Sequence, residues 1–521
     1  MNILLLNPPT NDQNWYRAEH LGLAFLASVL RKEGYDVQIL DSNLENLDVR
    51  QTFHTILNRA PRLDVLGITA IEPQTLLCGV EVIRLLRQEG IHPYVVAGGY
   101  LPTFWYAEVL KKYPEIDSIV IGEGEASLKD LVEAIEHNQD PHSIYGLALR
   151  NKDGEVICTP KRNLIRDLDQ IPFPARDYLS VAYQKYHHAL VYSSRGCYHK
   201  CSFCQISQFY RLSNGSPYRS RSAANIADEI EILVNQYGAR TIFFVDDEFI
   251  TKSPKRQNII RELISEIRKR DLKFSFSIQY RADTGDCEEL LSDLKKVGLT
   301  TVFIGVESGI DAVLERFEKG INKIDIQNAL RIVKQLGLNK NIGYMLFNPN
   351  TTFDELKESV EYLLSPDAPT ILKLIGMMVL KGTPEEKKLR EQNLVMERDF
   401  KIKCSILDKK VAAFADILKL YHPIYELAAM DFYEFHFLIG DLPEDDRERM
   451  LRKIKTVELK IRNLHQIFLS KAIGLSQNEK DDLKWLDDFK VKFQALYAET
   501  QTILKNGHQK LMSLSNKADK T

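Results

Sequence analysis

The chain has 521 residues, of which 44% are hydrophobic, and its formal net charge at pH 7 is -3. A chain of this length can bury several hydrophobic cores, so we expect two to four domains. The near-neutral charge disfavours nucleic acid as the main partner, and no run approaches the roughly 18 apolar residues of a membrane-spanning helix.

The first residues and the cysteines indicate a cytoplasmic protein. The run Met1–Pro9 is too short in apolar residues for a secretion signal and has no basic residues before it, so it is predicted as a first strand. Four cysteines are widely separated and show no pairing pattern, as is typical of reduced cytoplasmic cysteines: Cys78, Cys158, Cys287 and Cys404.

Residues 1–140 alternate between strand and helix signals. The predicted elements are the strands Ile3–Leu6, Val37–Leu40, Val65–Thr69, Tyr94–Ala97 and Ser118–Ile121, and a first helix Leu21–Glu33. This alternation predicts an α/β domain with a parallel sheet covered on both faces, of the Rossmann or flavodoxin-like kind. The proline-containing stretch 141–187 then predicts a linker with a hairpin near Asn151–Gly154.

Residues 188–394 resume the alternation. The six predicted strands are 189–194, Thr241–Val245, Phe274–Gln279, Thr301–Val306, Ile342–Phe347 and Ile371–Val379. Six strands alternating with helices predict a partial (β/α)6 barrel.

Residues 395–521 lose the strand signal and predict a C-terminal α-helical domain. We expect this domain to cover the barrel opening and to shape a substrate pocket. One stretch is rich in rings that could line a binding site, but their helical spacing is more typical of a core: Tyr421, His422, Tyr425, Phe432, Tyr433, Phe435 and His436.

Three cysteines lie within a single short run, Cys197-Tyr198-His199-Lys200-Cys201-Ser202-Phe203-Cys204. Its CxxxCxxC spacing suits a 4Fe-4S cluster, in which three thiolates hold three irons and leave the fourth iron open to a ligand. The run follows a short strand that breaks at Gly196, which predicts the reactive carboxyl edge of a barrel. The alternative is a zinc site completed by His199, although zinc ligands usually come as two separated pairs.

This arrangement resembles the radical S-adenosylmethionine (SAM) superfamily, in which an aromatic residue such as Phe203 commonly precedes the last cysteine. The resemblance implies that Cys197, Cys201 and Cys204 are metal ligands and catalytic, and that an electron donor such as flavodoxin or ferredoxin reduces the cluster. It further implies reductive cleavage of SAM to a 5'-deoxyadenosyl radical that abstracts hydrogen from unactivated carbon. The cofactor supplies this reactivity, and the protein's part is to exclude water from the site and to shield it.

Three acidic or basic strand ends match this resemblance. Asp246 and Asp247 are implied partners of the SAM ammonium group, with a solvated acidic turn as the alternative, while the neighbouring Glu248 stands where many relatives have asparagine. Arg281 offers a planar fork for the SAM carboxylate, or else forms a surface ion pair with Asp283. Glu307 belongs by resemblance to the SAM-binding wall.

A fourth segment, Tyr344–Thr352, matches a strand and turn at which relatives often carry glycines. Asn348 and Asn350 replace those glycines here. Asparagine can also populate left-handed backbone. The departure from the family's pattern therefore concerns the geometry of the turn and not the predicted strand.

The first domain resembles the cobalamin-binding domain of one large radical SAM class. Thr69 follows the third strand and Gly98-Gly99 follows the fourth, at the places that accommodate the nucleotide tail of cobalamin in that family. Gly122 and Glu123 close the fifth strand as in this class. Glycines at a strand end let a bulky ligand approach the backbone.

The chain lacks the DxHxxG element that supplies a histidine to cobalt in many cobalamin enzymes. The nearest match, Asp140-Pro141-His142, lies past the last strand of the domain and has no glycine. His20 is a possible neighbour of the cofactor, or a polar loop residue. We therefore expect no protein histidine on the lower face of cobalt.

The two resemblances together imply a cobalamin-dependent radical SAM methyltransferase that acts on an unactivated carbon of a small molecule or natural product. SAM would serve twice, as methyl donor to cobalamin and as radical source. The alternative is a cyclase, rearrangement or oxidation enzyme with the same cofactors. Methylthiotransferases need further cysteines that Cys78 and Cys158 cannot supply, and a cobalamin-binding sensor would need purely structural cluster cysteines.

The cysteine run generates the first prediction. Protein purified and reconstituted without oxygen should bind about four irons per chain, because three thiolates suffice for a site-open cluster. Replacing any one of Cys197, Cys201 or Cys204 with alanine should abolish reductive SAM cleavage, measured as 5'-deoxyadenosine. Stoichiometric zinc without iron-dependent absorbance would contradict this prediction.

Overall fold

A computed structural model describes residues 1–10, 18–284, 287–365, 374–420, 442, 444–476 and 484–518. Its first sheet has the strand order β2-β1-β3-β4-β5-β6-β7. These strands are β1 (Asn2–Asn7), β2 (Asp36–Asp41), β3 (Val65–Thr69), β4 (Tyr94–Gly98), β5 (Ser118–Val120), β6 (Leu147–Arg150) and β7 (Val156–Cys158). Strands β1 to β5 pair in parallel and bury apolar side chains on both faces, which confirms the predicted parallel sheet.

Helices of the described chain pack on this sheet or follow its strands. They are α1 (Leu21–Lys32), α2 (Val49–Arg59), α3 (Pro73–Gln88), α4 (Tyr100–Phe104), α5 (Tyr106–Lys112) and α6 (Glu125–Glu136). Local sequence sets their starts: Asp48 and Gln51 form a capping box at α2, and Pro73 occupies the first turn of α3. The carboxyl ends of β1 to β5 therefore meet at one edge, each followed by a loop or a helix start.

The predicted hairpin of the linker is present as β6 and β7. It pairs antiparallel with β5, and its turn passes through Gly154 at a φ of 80°. The first sheet thus continues to Cys158, past residue 140, where the sequence pattern placed the end of the first domain. A short helix, α7 (Leu179–Tyr186), then leads to the second sheet.

The second sheet has the strand order β14-β13-β12-β11-β8, and all its strands are parallel. The strands are β8 (Ala189–Val191), β11 (Thr241–Phe244), β12 (Ser275–Arg281), β13 (Leu299–Glu307) and β14 (Asn339–Tyr344), and β9 (Ser194–Arg195) with β10 (Arg219–Ser220) forms a small ribbon. The helices are α8 (Gln205–Arg211), α9 (Ala223–Asn235), α10 (Pro254–Lys269), α11 (Glu288–Lys296), α12 (Asp311–Arg316), α13 (Lys323–Gln335), α14 (Phe353–Leu364) and α15 (Pro384–Glu391).

Five of the six strands predicted for the barrel are confirmed. The sixth, Ile371–Val379, lies partly outside the described residues. Its described part follows the edge strand, since Leu346 donates its backbone N–H to Ile375 at 2.9 Å and Met377 donates to Phe347 at 2.8 Å. This alignment extends the second sheet beyond β14.

The prediction that strands end at residue 395 was wrong. Strands β15 (Val395–Arg398) and β16 (Lys401–Cys404) form an antiparallel hairpin. Its two-residue turn, Asp399 and Phe400, has φ angles of 48° and 60°, the left-handed turn that suits a hairpin twist. The pattern was missed because Asp-Phe is not a usual sequence for this turn. Phe400 packs against Trp105 and Tyr113 of the first domain.

The C-terminal region is otherwise helical, as predicted. Residues 409–420 form α16, followed by α17 (Glu444–Leu475) and α18 (Lys484–Ala518). The aromatic stretch predicted at Tyr421–His436 lies outside the described residues. Within the described chain, no helix is both long and apolar enough to cross a membrane.

Helices α17 and α18 contact the amino-terminal edge of the second sheet. Arg462 of α17 donates to the Ser365 carbonyl at the end of α14, and His508 of α18 lies 3.0 Å from His187, just before β8. The cysteines lie at the opposite edge, so these two helices do not meet the prediction of a cover over the barrel opening. Of the C-terminal helices that the structure describes, α16 approaches that edge, where Phe414 packs on Phe347.

A buried arginine joins the two α/β domains. Arg176 binds Glu19, which precedes α1, and Glu229 of α9 at 2.6 Å; all three side chains are at most 5% exposed. Burial raises the pKa of Glu19 to about 7, although Arg176 opposes the shift. Around this bridge, apolar side chains of α1 pack against those that follow β8 and β11.

Replacing Arg176 with methionine should lower the free energy of unfolding by about 3–5 kcal/mol, because the buried Glu19 loses its cation and Glu229 keeps only Arg221. Chemical denaturation followed by circular dichroism measures this. Arg31→Met is the matched control at the same interface, since the Arg31–Asp177 pair is 35% exposed on both sides. It should cost less than about 1 kcal/mol. Equal effects of both variants would contradict the prediction.

Candidate active site

The cysteine run begins directly after β9, at Gly196. This glycine has a φ of 83°, and an added Cβ would lie 1.8 Å from the carbonyl oxygen of Pro217. Only glycine fits such a contact. The close approach of the two chain segments fixes where the loop starts, at the carboxyl edge of the second sheet as the sequence predicted.

The three cysteines lie on this loop and influence one another electrostatically. Burial, followed by the carboxylate of Glu248 and the other two cysteines, raises the pKa of Cys197 to about 12. Cys201 is 6% exposed, and its carbonyl accepts from the backbone N–H of Cys204 at 3.1 Å. Cys204 itself is the residue before α8. Three thiols on one partly buried loop fit a cluster held by three ligands.

The geometry does not form the alternative zinc site. Among the described residues, the potential ligand atoms within 4.8 Å of one another belong to Cys197, His199 and Glu248, without the other two cysteines. A zinc ion holds its ligands about 2.3 Å away and would bring all three sulfurs together. The described side chains therefore do not bring together the three cysteines and His199 that the alternative zinc site would need.

Asp246 is engaged by the protein itself. It is fully buried at the end of β11 and accepts hydrogen bonds from the Ser193 hydroxyl at 2.7 Å, from the Ser193 N–H at 3.1 Å and from the Ser194 hydroxyl. Arg256 lies 3.6 Å away. The carboxylate therefore ties β11 to β8, and its hydrogen-bonding capacity is used before any ligand binds.

Asp247 differs from its neighbour in facing the cysteine loop. It accepts the N–H of Gly196 at 3.0 Å and has no basic side chain among its described partners. Burial raises the pKa of Asp247 to about 7, and the charges of Asp246 and Glu248 add to this shift. A ligand cation beside Asp247 would favour the ionised form.

Glu248 is also turned toward the cysteines. Its carboxylate lies 3.7 Å from the Cys197 sulfur and 3.4 Å from Nε2 of His199, and it is 1% exposed. The three adjacent acids thus have three different environments. The sequence left a solvated acidic turn as the alternative. Such a turn would expose its carboxylates to solvent, whereas Asp246 and Glu248 are buried.

Arg281 ends β12 and is 6% exposed. Its guanidinium donates to Asp283 at 2.9 Å, to the Cys201 sulfur at 3.4 Å and to the carbonyl of Lys319. The predicted ion pair with Asp283 is present, but it is buried. The fork predicted to bind the SAM carboxylate is therefore largely occupied by the protein, and one of its donors contacts a cysteine.

Glu307 ends β13 in a strained conformation. Its φ is 65°, and the register between β13 and β14 shifts between Gly305 and Glu307. Non-glycine residues rarely adopt this conformation, which is often found at functional sites. The side chain binds Nζ of Lys319 at 2.9 Å.

The turn after β14 does not use left-handed asparagines. Instead, the Asn348 side chain accepts the N–H of Asn350 at 2.8 Å, and the Asn348 N–H donates to the Thr351 hydroxyl at 2.9 Å. Neither asparagine has a positive φ. The turn geometry, which the sequence left open, is thus set by an asparagine side chain that accepts a backbone hydrogen bond.

The first domain presents Thr69, Gly98 and Gly99 at its carboxyl edge. Thr69 and Gly98 are partners in the pairing of β3 with β4, and a Cβ added at Gly98 would meet no atom within 4 Å. Gly99 has a φ of 99°, and its added Cβ would lie 2.8 Å from the Ala70 carbonyl. Gly98 therefore faces open space suited to a bulky ligand, whereas Gly99 is required by the backbone.

His20 caps α1 and contacts Thr69. Its Nδ1 accepts the N–H of Leu23 at 3.2 Å, so Nε2 carries the proton that points to Oγ1 of Thr69 at 3.3 Å. Burial lowers the pKa of His20 to about 4, which keeps the ring neutral. His142 contacts Asp140 at 2.6 Å and the Arg150 carbonyl at 3.1 Å. Both histidines use both ring nitrogens within the protein.

Glu123 holds the two domains together at the cysteine loop. It binds Arg219 of β10 through two contacts, at 2.7 and 2.9 Å, and Arg195 of β9 at 3.3 Å. Burial would raise the pKa of Glu123, but the two arginines hold it below its ordinary value. Glu125 binds Arg195 at 2.6 Å. Arg195 immediately precedes Gly196, so these acids anchor the start of the cysteine loop.

Gly122 adopts a φ of 80° and donates its N–H to the Thr103 hydroxyl at 3.3 Å. It supplies the turn that brings Glu123 to the arginines. The sequence placed both residues in a cobalamin site by resemblance and missed this ionic role, because Arg195 and Arg219 are distant from Glu123 in the chain.

The two candidate sites meet through α4 and α8. Tyr100 follows Gly99, and its ring lies 4.6 Å from that of Phe209, which is in the helix after Cys204. Burial raises the pKa of Tyr100 well above its ordinary value, and Asp247 and Cys204 contribute to the shift. The glycine edge of the first domain and the cysteine loop are therefore neighbours.

Two family models match the chain. The radical SAM superfamily matches residues 191–363, which contain the cysteine loop and all the strand-end residues of the second sheet. The B12 binding domain matches residues 16–132, which contain Thr69, Gly98 and Gly99.

Relatives and solved structures agree with both matches. An uncharacterized methyltransferase of Pyrococcus horikoshii is 31% identical over 369 residues, which are 70% of this chain and 77% of that protein. The anaerobic magnesium-protoporphyrin IX monomethyl ester cyclase of Rubrivivax gelatinosus is 31% identical over 69% of this chain and 65% of its own length. The cobalamin-dependent SAM radical enzyme OxsB shares the fold with a TM-score of 0.73 and 20% identity, over 99% of this chain and 81% of that chain.

The environments of Gly98 and Gly99 give a prediction that separates binding from folding. Gly98→Val should weaken cobalamin binding by about tenfold or more, because the added side chain fills open space that the ligand needs, while thermal stability stays near wild type. Gly99→Val should lower stability, because the backbone conformation and the Ala70 carbonyl both oppose a Cβ. Titration by absorbance and thermal melts measure the two effects. Unchanged cobalamin affinity in Gly98→Val would contradict this assignment.

Proposed function

The chain belongs to the cobalamin-dependent radical SAM enzymes, and we propose that it is a methyltransferase acting on an unactivated carbon of a small molecule. The observation that carries the proposal is the adjacency of the glycine edge and the cysteine loop through Tyr100 and Phe209. When bound, the 4Fe-4S cluster, SAM and cobalamin supply one-electron cleavage of SAM and a transferable methyl group. A methyl carrier beside the radical source is the simplest reason for this placement.

We propose that Cys197, Cys201 and Cys204 each bind one iron. Gly196 and the pair formed by Arg195 with Glu125 hold the loop in place. The N–H···S contact from Arg281 to Cys201, at 3.4 Å, stabilises negative charge on that sulfur. Arg281 thus acts on a cysteine, which modifies the role that the resemblance implied for it.

For the SAM amino group, we propose Asp247 in preference to Asp246. Asp246 is saturated by Ser193, Ser194 and Arg256, whereas Asp247 accepts a single described hydrogen bond. We propose Glu307 as part of the SAM-binding wall, since its strained backbone is held at the same strand edge.

An Arg281→Ala variant should lower all SAM-derived products together, because it releases both Cys201 and Asp283.

For cobalamin, we propose that Thr69 and Gly98 face the ligand and that Gly99, Gly122 and Glu123 shape its surroundings. His20, near this edge, uses both ring nitrogens within the protein, and His142 lies beside Arg150 at the opposite end of the sheet, so we propose that the cobalt has no protein imidazole. An electron donor such as flavodoxin or ferredoxin would reduce the cluster, and a reducing cytoplasm suits such chemistry.

The second candidate is a cyclase or another enzyme that uses both cofactors without methyl transfer. The cyclase of Rubrivivax gelatinosus favours this candidate, because it is 31% identical to the chain, the same sequence identity as the methyltransferase of Pyrococcus horikoshii. Both candidates share every residue role proposed above. They differ in the fate of SAM.

The fate of SAM provides the test. With a small-molecule substrate supplied, a methyltransferase should form S-adenosylhomocysteine and 5'-deoxyadenosine in equal amounts, because SAM is both the methyl donor and the radical source. Chromatography with mass detection quantifies both compounds and the mass gain of the product. Substrate-dependent 5'-deoxyadenosine without S-adenosylhomocysteine or methylated product would favour the cyclase class.

Two variants control this assay. Cys204→Ala should lose 5'-deoxyadenosine, since it removes an iron ligand. Gly98→Val should lose S-adenosylhomocysteine while it retains cluster-dependent cleavage of SAM, since only the cobalamin edge is filled. Loss of both products in Gly98→Val with an intact cluster would contradict separate sites.

A further inference from the structure

Lys319 is a buried lysine that no part of the proposed chemistry uses. It follows α12, is 6% exposed, and its Nζ lies 2.9 Å from the Glu307 carboxylate. The same ammonium lies 5.9 Å from the centre of the Phe203 ring, inside the cysteine run. Burying an ammonium group is costly unless it is paired, so the contact with Glu307 is needed to keep Lys319 inside.

The backbone around Lys319 also contacts the cysteine loop. Its carbonyl accepts from Arg281, whose guanidinium contacts the Cys201 sulfur. Two residues earlier, the Phe317 carbonyl accepts the N–H of Ser202 at 2.8 Å. The Phe317 ring meets the Phe203 ring edge-on at 5.4 Å. The segment Phe317–Lys319 therefore joins the end of β13 to the loop between Cys201 and Cys204.

Glu307 requires such support. Its φ of 65° is unfavourable for a residue with a side chain and costs about 1–3 kcal/mol. A Cβ on Gly305 would lie 2.7 Å from the Glu307 carboxylate and 2.9 Å from Nζ of Lys319, so the pair occupies the space left by that glycine. The salt bridge and the missing side chain together define the direction of the carboxylate.

We propose that Lys319 is the positioning residue that orients Glu307 toward SAM. The proposal rests on the SAM-binding role proposed above for Glu307. Lys319 neutralises the buried carboxylate, holds it in the strained conformation and couples it to the cysteine loop through its own carbonyl. Without the ammonium group, Glu307 loses the cation that neutralises its carboxylate and the contact that fixes its orientation.

Lys319→Met tests this in the reconstituted holoenzyme without oxygen. The variant should keep wild-type iron and sulfide content and cobalamin affinity, while its Kd for SAM rises by about tenfold. Calorimetry and the SAM-induced change in the electron paramagnetic resonance of the reduced cluster measure the Kd. Lys319→Arg should restore most of the affinity. Lys388→Met is the matched control, because Lys388 pairs with the neighbouring Glu318 at an exposed position and should leave the Kd unchanged.

A double-mutant cycle with Glu307→Gln shows whether Lys319 acts through Glu307. In the Glu307→Gln background, Lys319→Met should change the Kd by less than about twofold, since the group that it positions is already neutral. An equal loss in both backgrounds would overturn the proposal and assign Lys319 a direct contact with SAM. Unchanged affinity, or loss of iron, would also overturn it. None of these measurements requires methyl transfer, so failure of the proposed function would be separately visible.

Discussion

The pairing of buried carboxylates with buried arginines organises the catalytic edge. A buried charge without a partner costs several kcal/mol, so each acid placed here needs a cation or several hydrogen bonds. Glu123 forms ion pairs with Arg219 and Arg195. Asp246 accepts hydrogen bonds from two serines and lies beside Arg256. The Glu123 pairs connect the end of β5 to the ribbon that precedes the cysteine loop, and the Asp246 contacts connect β11 to the segment after β8.

Asp247 is the exception among these acids, because it has no basic side chain among its described partners. Its described partner is a backbone N–H, and burial raises its pKa to about 7. An acid whose pKa is shifted by its surroundings is a candidate for a functional site. Asp247 is such an acid, whereas its neighbour Asp246 is already paired within the protein. The contrast between the adjacent Asp246 and Asp247 therefore separates a structural carboxylate from one suited to a ligand.

Several backbone conformations with a positive φ lie at the carboxyl edges of the two sheets. Gly196, Gly99 and Glu307 all adopt a positive φ, each at the carboxyl end of a strand and each against another chain segment. The opposite edge of the second sheet is closed by α17 and α18. The fold thus leaves one edge for chemistry and uses the C-terminal helices mainly to complete the core. This arrangement places the glycine edge of the first domain beside the cysteine loop, which is the physical basis of the proposed function.

Local sequence determined the elements that depend on short-range pattern. Alternating apolar runs specified the parallel strands and their order along the chain, and the spacing of Cys197, Cys201 and Cys204 specified a three-thiolate loop. Tertiary structure alone decided which charged groups meet. Lys319 with Glu307, Arg195 with Glu123 and Arg281 with Cys201 pair across 12, 72 and 80 residues. Such pairs carry no periodic signal, because the energy that selects them appears only when folding removes water from both partners.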